Sequence, residues 1–201
     1  MSNQTSDNER RRFFRIDDEV CLQYEIISEQ DYQNAPAELE QVEQSSFGLS
    51  AGFASMNYEY NPILNSIKTA QPEIAQYLEF INRKLDALGQ HLLEDDIPCQ
   101  ESDRQTVNIS ASGIGFNSDK EISKGQALRI RLVLLPEKIG ILVFGRVAHL
   151  QKGEQGKTLV CVDFEHIRYD DQELMIKHNL NRQMQELRLR SESQDNDESR
   201  D

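Results

Sequence analysis

The chain is 201 residues long, 37% hydrophobic and 28% charged, with a formal net charge of −13; this suits one ordinary domain with an addition, or two small ones. The acidic excess opposes unspecific association with DNA, RNA or an anionic membrane, and no stretch approaches the ~20 apolar residues of a spanning helix. Three cysteines, Cys21, Cys99 and Cys161, stand far apart with no CxxC pair and no clustered histidine, so they read as structural thiols, with neither a disulfide framework nor a metal site indicated.

Residues 1–9 are polar and expected to be disordered, and they lack the apolar core of a secretory signal. A soluble cytoplasmic protein is the expectation. Four arginines then fall within six residues, Arg10–Arg11–Arg12 and Arg15. Val20, Leu22, Tyr24 and Ile26 alternate with Cys21, Gln23 and Glu25, the period of a half-buried strand. Ala35–Gln44 fits a short helix, whereas Phe47–Tyr60, rich in Gly, Ser, Asn and Tyr, reads as irregular.

From Ile63 to Leu93 the period changes. Leu64, Gln71, Leu78, Leu85 and Leu92 are spaced by sevens, and Ile67, Ile74, Ile81 and Leu88 follow three residues behind, an a/d heptad seam. Pro72 predicts a kink or a fresh helix start. Ala70, Ala75 and Tyr77 widen the apolar stripe beyond a two-stranded seam, with Gln71 as a polar register-setter. The seam can be buried by the protein's own barrel or by other copies. The wide stripe favours self-association, a homo-oligomer (tetramer or dimer) through helix Leu64–Leu92.

After Asp103 strand character returns: Val107 and Ile109, then Leu128–Leu134, Ile141–Val147 and Val160–Phe164, separated by turn signals. Such spacing predicts an antiparallel barrel or sandwich. Asp170–Arg190 predicts a closing helix, and the acidic stretch 191–201 a disordered tail. The plan is mainly β with added helices (α+β). It is a single domain over 10–190, split by a helical insertion over about 28–102.

Two motifs carry chemistry. In Glu9–Val20 (ERRRFFRIDDEV) the cations are all arginine, whose planar fork matches phosphate oxygens or the O6/N7 edge of guanine. In Asn108–Gly115 (NISASGIG), Asn108 and Ser110 stand two apart on a strand and point the same way, while Gly113 allows close approach to the backbone.

Taken together, Arg11-x-x-x-Arg15 ahead of a strand and Asn108-x-Ser110-x-x-Gly113 resemble the RxxxR…(D/N)xSxxG signature of the PilZ family. The resemblance extends over roughly residues 9–27 and 103–190. It implies a six-stranded antiparallel β-barrel with a C-terminal helix, and a receptor for the bacterial second messenger cyclic di-GMP. Arg11 and Arg15 would grip guanine and phosphate, and Asn108, Ser110 and Gly113 would form the barrel side of the site. Arg10, directly before the motif, occupies the position that in this family accompanies two intercalated messengers, and Arg146 is a further candidate contact. The motifs are 93 positions apart where most family members have a short hairpin, so the heptad segment is an insertion between the first two strands. It is similar to those of the tetrameric PilZ variants.

A second function class is an oligomeric scaffold or adaptor that acts through protein contacts with little ligand binding. An unknown downstream protein partner is expected on either reading. No catalytic residues, cofactor, metal ligands or nucleic-acid partner are expected. His91, His149, His166 and His178 are scattered, no phosphate-cradling GxxxxGK[ST] loop is present, and the pairs Asp17–Asp18, Asp95–Asp96 and Asp170–Asp171 suit element boundaries.

Overall fold

The computed structural model describes residues 13–42, 44–96, 99–153 and 156–198. Six strands alternate inward apolar and outward polar side chains over much of their length. They are β1 (Ile16–Ile26), β2 (Arg104–Ser110), β3 (Gly113–Ser118), β4 (Ala127–Leu134), β5 (Ile139–Lys152) and β6 (Thr158–His166). All pairs are antiparallel, and the order β1-β2-β3-β6-β5-β4 closes on itself. Strand β1 seals the barrel. One edge pairs with β2 from Ile16↔Ile109 to Cys21↔Arg104, and the other with β4 from Val20↔Leu134 to Ile26↔Leu128. Val20, Leu22, Ile109, Ile114, Ile130, Leu132 and Val162 fill the interior.

Between β1 and β2 the chain forms four helices: α1 (Glu29–Gln33), α2 (Ala35–Val42), α3 (Ser46–Ala70) and α4 (Pro72–Asp96). They cover a second apolar surface. Cys21, Val133, Leu142 and Phe144 on the outside of β1, β4 and β5 are buried under Tyr32, Ala35, Leu39, Val42, Phe47 and Leu93. This explains the unbroken apolar run of Ile139–Phe144, since a strand buried on both faces does not alternate. The cover fits closely: a Cβ added at Gly140 would lie 2.7 Å from Leu93 Cδ1 and 2.8 Å from Phe47 Cδ1.

Two expectations for the insertion are corrected. Phe47–Tyr60 is helical. The Ser45 side chain caps α3 by accepting the Gly48 N–H at 3.4 Å, and Phe47 and Ala51 are buried on the barrel side. That apolar face, presented to the barrel, outweighs the weak helix propensity of the Gly, Ser and Asn residues. The heptad seam, moreover, is not one helix. Gln71 takes φ −145°, ψ 75°, outside the helical region, as a residue before proline tends to be. Pro72 then opens α4 and the chain reverses. Asn57 Nδ2 donates to Asp86 Oδ1 at 2.9 Å, Lys68 Nζ to Glu79 Oε1 at 2.9 Å, and Gly89 abuts the Phe53 ring, so α3 and α4 form an antiparallel hairpin. Gln71 is therefore the bend rather than a polar position inside a seam. Leu64 and Ile67 lie on a different helix from the rest of the pattern.

The third correction concerns the cysteines. Cys21 on β1 and Cys99 after α4 have Cα atoms 5.8 Å apart and form a disulfide, tying the return of the insertion to the strand it left. Pairing 78 positions apart leaves no local spacing to read.

Helix α5 (Tyr169–Glu198) closes one end of the barrel with Leu174 and Met175 in the core. It runs to Glu198, so the helix continues into the acidic stretch expected to lack order, whose Glu and Gln residues are good helix formers. Among the described residues no helix is long and apolar enough to cross a membrane.

Asp18, 2% exposed, latches α5 to β1: His178 Nε2 is 2.7 Å from its Oδ2, and Arg182 Nε donates to its Oδ1 at 2.8 Å. Burial pushes the Asp18 carboxyl up, but the hydrogen bonds from His178 and Arg182 outweigh it and hold it below the usual value. The latch is thus complete above the unfolded carboxyl's ordinary value of about 4 and is lost as pH falls through the lower folded value. Asp18→Ala, which leaves the buried His178 and the partly exposed Arg182 without their acceptor, should cost about 3 kcal/mol in urea unfolding at neutral pH. Asp18→Asn should flatten the acid limb of the stability profile below about pH 4.

Candidate functional site

The site is built on the outer face of the barrel where β1, β2, β3 and β6 meet. Ile109, Ile114 and Val162 are register partners and point inward. Side chains on either side of them along each strand therefore point out. This puts Asn108 opposite Gly115, and Ser110 opposite Gly113.

Asn108 is the junction of the two motifs. Its Oδ1 accepts from Arg15 Nη1 at 3.2 Å, and its backbone carbonyl accepts from the same nitrogen at 3.3 Å. Its Nδ2 donates to Asp17 Oδ1 at 2.7 Å. Asp17, assigned from sequence to an element boundary, thus orients the Asn108 amide. The strand alternation of β1 carries the signal that would have found it: Asp17 faces out and pairs with Asn108, whereas Asp18 faces in.

Ser110 has a different task. Its Oγ is buried, accepts the Ser112 N–H and donates to the Gly113 carbonyl, both at 3.3 Å, closing the Ala111–Ser112 turn. Helix α5 supports the same turn from behind, with Gln172 Nε2 donating to the Ala111 carbonyl at 3.0 Å and Asn179 Nδ2 to the Ile109 carbonyl at 3.4 Å.

Gly113 is required by crowding. A Cβ there would stand 2.5 Å from the Val162 carbonyl oxygen and 2.9 Å from Arg15 Nη2. The bare backbone is what lets the guanidinium lie against the strand. Phe13, two residues before Arg15, packs against the barrel core and anchors the chain just ahead of that arginine.

Arg10 and Arg11 lie outside the described residues. Arg146 is on the same outer face, in the register row Gly113–Asp163–Arg146, two strands and so roughly 10 Å from Gly113. Its guanidinium is committed elsewhere. It stacks 4.3 Å from the Tyr32 ring centroid, donates to Glu29 Oε2 at 3.1 Å and pairs with Glu165 at 3.5 Å. The hydrogen bond from Arg146 holds the Glu29 carboxyl below the usual carboxylate range, and burial together with the bond to Glu165 pushes the Tyr32 phenol up. These contacts tie α1 to β5 and β6. Among the described residues no cluster of three or more His, Cys, Asp or Glu is placed to hold a metal ion.

Residues 92–180 match the family model of the PilZ domain. That stretch of the chain is similar to the PilZ domain. The barrel is similar to a crystal structure of a pathogenic protein from Xanthomonas campestris, described as a tetrameric PilZ domain self-assembled through a helical bundle. The TM-score is 0.53 at 13% identity, over 90% of this chain and 94% of that one. A weaker likeness, TM-score 0.36 at 23% identity over 43% of this chain and 44% of that one, is to the Bacillus subtilis inhibitor of motility MotI/DgrA. No curated protein matches the chain. The matched stretch begins within α4, so Arg15 and β1, the strand that closes the barrel, precede it.

Gly113→Ala should force Arg15 or the β3–β6 pair to move and lower stability by about 1–3 kcal/mol, checked by urea unfolding. The same change at Gly52, where an added Cβ meets nothing within 4 Å, should gain a few tenths of a kcal/mol from helix propensity.

Proposed function

We propose that this PilZ protein is a receptor for cyclic di-GMP, bound on the outer barrel face between the arginine segment and the Asn108–Gly113 turn. The observation that carries the reading is the meeting of Arg15 with Asn108 and Gly113, from motifs 93 positions apart. Arg15 supplies a planar cation to a guanine edge or a phosphate. Arg11 would act with it, and Arg10 would serve a second, stacked messenger. Asn108, oriented by Asp17, offers a polar edge to the ligand, while Ser110 and Gly113 hold the turn that presents it. Arg146 would contribute only by leaving Glu29 and Glu165. Binding would be a non-catalytic event that brings Arg11 and Arg15 onto one ligand and changes the surface offered to a protein partner. A messenger made inside bacterial cells implies a cytoplasmic receptor.

Copies of the chain would assemble through the α3–α4 hairpin. Helix α4 turns Ala75, Asn82, Asp86, Gly89 and Leu93 toward α3 or the barrel, while Ile74, Leu78, Leu85, Leu88 and Leu92 are exposed, at spacings of three, four and seven residues. Met56, Tyr60 and Ile63 are likewise exposed on α3. A hairpin with unpartnered apolar stripes on both helices suits a four-helix or larger bundle, and the Xanthomonas protein is described as a tetramer built that way. On the alternative reading, a scaffold, the hairpin would carry the function and the ligand face would be idle.

Calorimetry with cyclic di-GMP should give saturable binding that Arg15→Ala weakens about 10- to 100-fold, the worth of one bidentate contact. Full affinity in both Arg11→Ala and Arg15→Ala would reject the site. Light scattering should give an oligomer whose mass falls to that of the monomer when Leu85 and Leu88 are both changed to Lys. A monomeric wild-type chain at micromolar concentration would reject the bundle.

A further inference from the structure

The ligand face carries a carboxylate that neither the motifs nor the fold accounts for. Asp163 on β6 is the register partner of Gly113 and is exposed. Its Cα lies 3.6 Å from the point where a Gly113 Cβ would stand, the same point that Arg15 Nη2 approaches to 2.9 Å. Asp163 therefore borders the strip of bare backbone over which the Arg15 guanidinium lies. Its partner on β5 is Arg146, a ready counter-ion, yet Arg146 is turned to Glu29, Glu165 and the Tyr32 ring. Among the described residues the Asp163 carboxylate has no side-chain hydrogen bond or ion pair.

A free carboxylate facing an anionic cyclic dinucleotide is repulsive unless a donor on the ligand meets it. The two purines differ on this point. Guanine presents two adjacent donors, N1–H and the N2 amino group, which match the two oxygens of a carboxylate. Adenine presents one amino donor beside the N1 lone pair, which a carboxylate repels. Arginine bound to phosphate, or to N7 alone, does not separate the bases, and its fork on O6/N7 reads the opposite edge of guanine from N1–H and N2.

Resting on the messenger reading above, we propose that Asp163 is the specificity-determining residue of the site. It accepts from the N1–H and N2 amino edge of a guanine held over Gly113 and excludes adenine-containing cyclic dinucleotides. Asp17, another acid on this face, already accepts from Asn108 Nδ2 at 2.7 Å, and Glu165 is held by Tyr32 and Arg146, so these serve the protein's own groups rather than the base.

The test is calorimetry of the full chain with cyclic di-GMP and with cyclic di-AMP, in the wild type, Asp163→Asn and Asp163→Ala. Thermal melts serve as the folding control, which exposure of the residue makes undemanding. The wild type should prefer the guanine ligand. Asp163→Ala should lose about tenfold or more of that preference, and Asp163→Asn, whose amide can face the adenine N1, should gain measurable affinity for cyclic di-AMP. Binding of cyclic di-GMP with an unchanged preference in both variants would overturn the assignment and leave the receptor reading standing. Heat from neither ligand in the wild type would overturn the receptor reading and the assignment with it.

Discussion

The ladder between β1 and β2 is the constraint on which the rest depends. Without β1 both β2 and β4 would end as open edges, and the barrel would be an unclosed sheet. The strand is nonetheless separated from β2 by the whole insertion. Loop-closure entropy grows only with the logarithm of length, so a long excursion costs little more than a moderate one, provided its own residues are stabilised locally. They are, by the second apolar layer under α1, α2 and the first turns of α3, and by the Cys21–Cys99 bond at the root.

Strand β1 serves two sides at once. Pleating sends Asp17 outward to Asn108 and the adjacent Asp18 inward to His178 and Arg182. The same strand thus orients the amide of the candidate site and anchors the closing helix, which itself holds the Ala111 and Ile109 carbonyls at the back of the turn. The two motif segments and α5 form one hydrogen-bonded unit, and the arginine reaches a surface already held from behind.

Much of this was legible in the sequence wherever one face of an element meets the core. The period-2 runs matched β1, β2, β4, β5 and β6, and Arg15 and Asn108, singled out in two separate motifs, lie within hydrogen-bond distance of each other. The failures have a common cause. A heptad spacing records which side chains share a face, not whether the chain turns back between them, so the reversal at Gln71 left the sevens intact. The small and polar residues on the hairpin side of α4, such as Asn82, Asp86 and Gly89, look like solvent positions, while the apolar ones face away from α3. Helix α3 was hidden because Gly, Ser and Asn lower local propensity while tertiary burial decides the outcome. Asp17, Asp163 and the Cys21–Cys99 pair depend on register and long-range closure, for which composition carries no signal.

The closure of β1 also bears on how the domain is delimited. Cys21 and Arg104 are ladder neighbours, so the barrel is contiguous in space where it is interrupted in sequence. The matched stretch 92–180 contains five of the six strands. A fragment cut to those limits would present β2 and β4 as two naked edges, lack the Cys21 half of the disulfide and the Asp18 acceptor of α5, and carry the turn without the arginine that meets it. For this chain a boundary drawn along the sequence divides a single hydrogen-bonded ring, and the smallest unit that keeps the ring whole begins before Ile16.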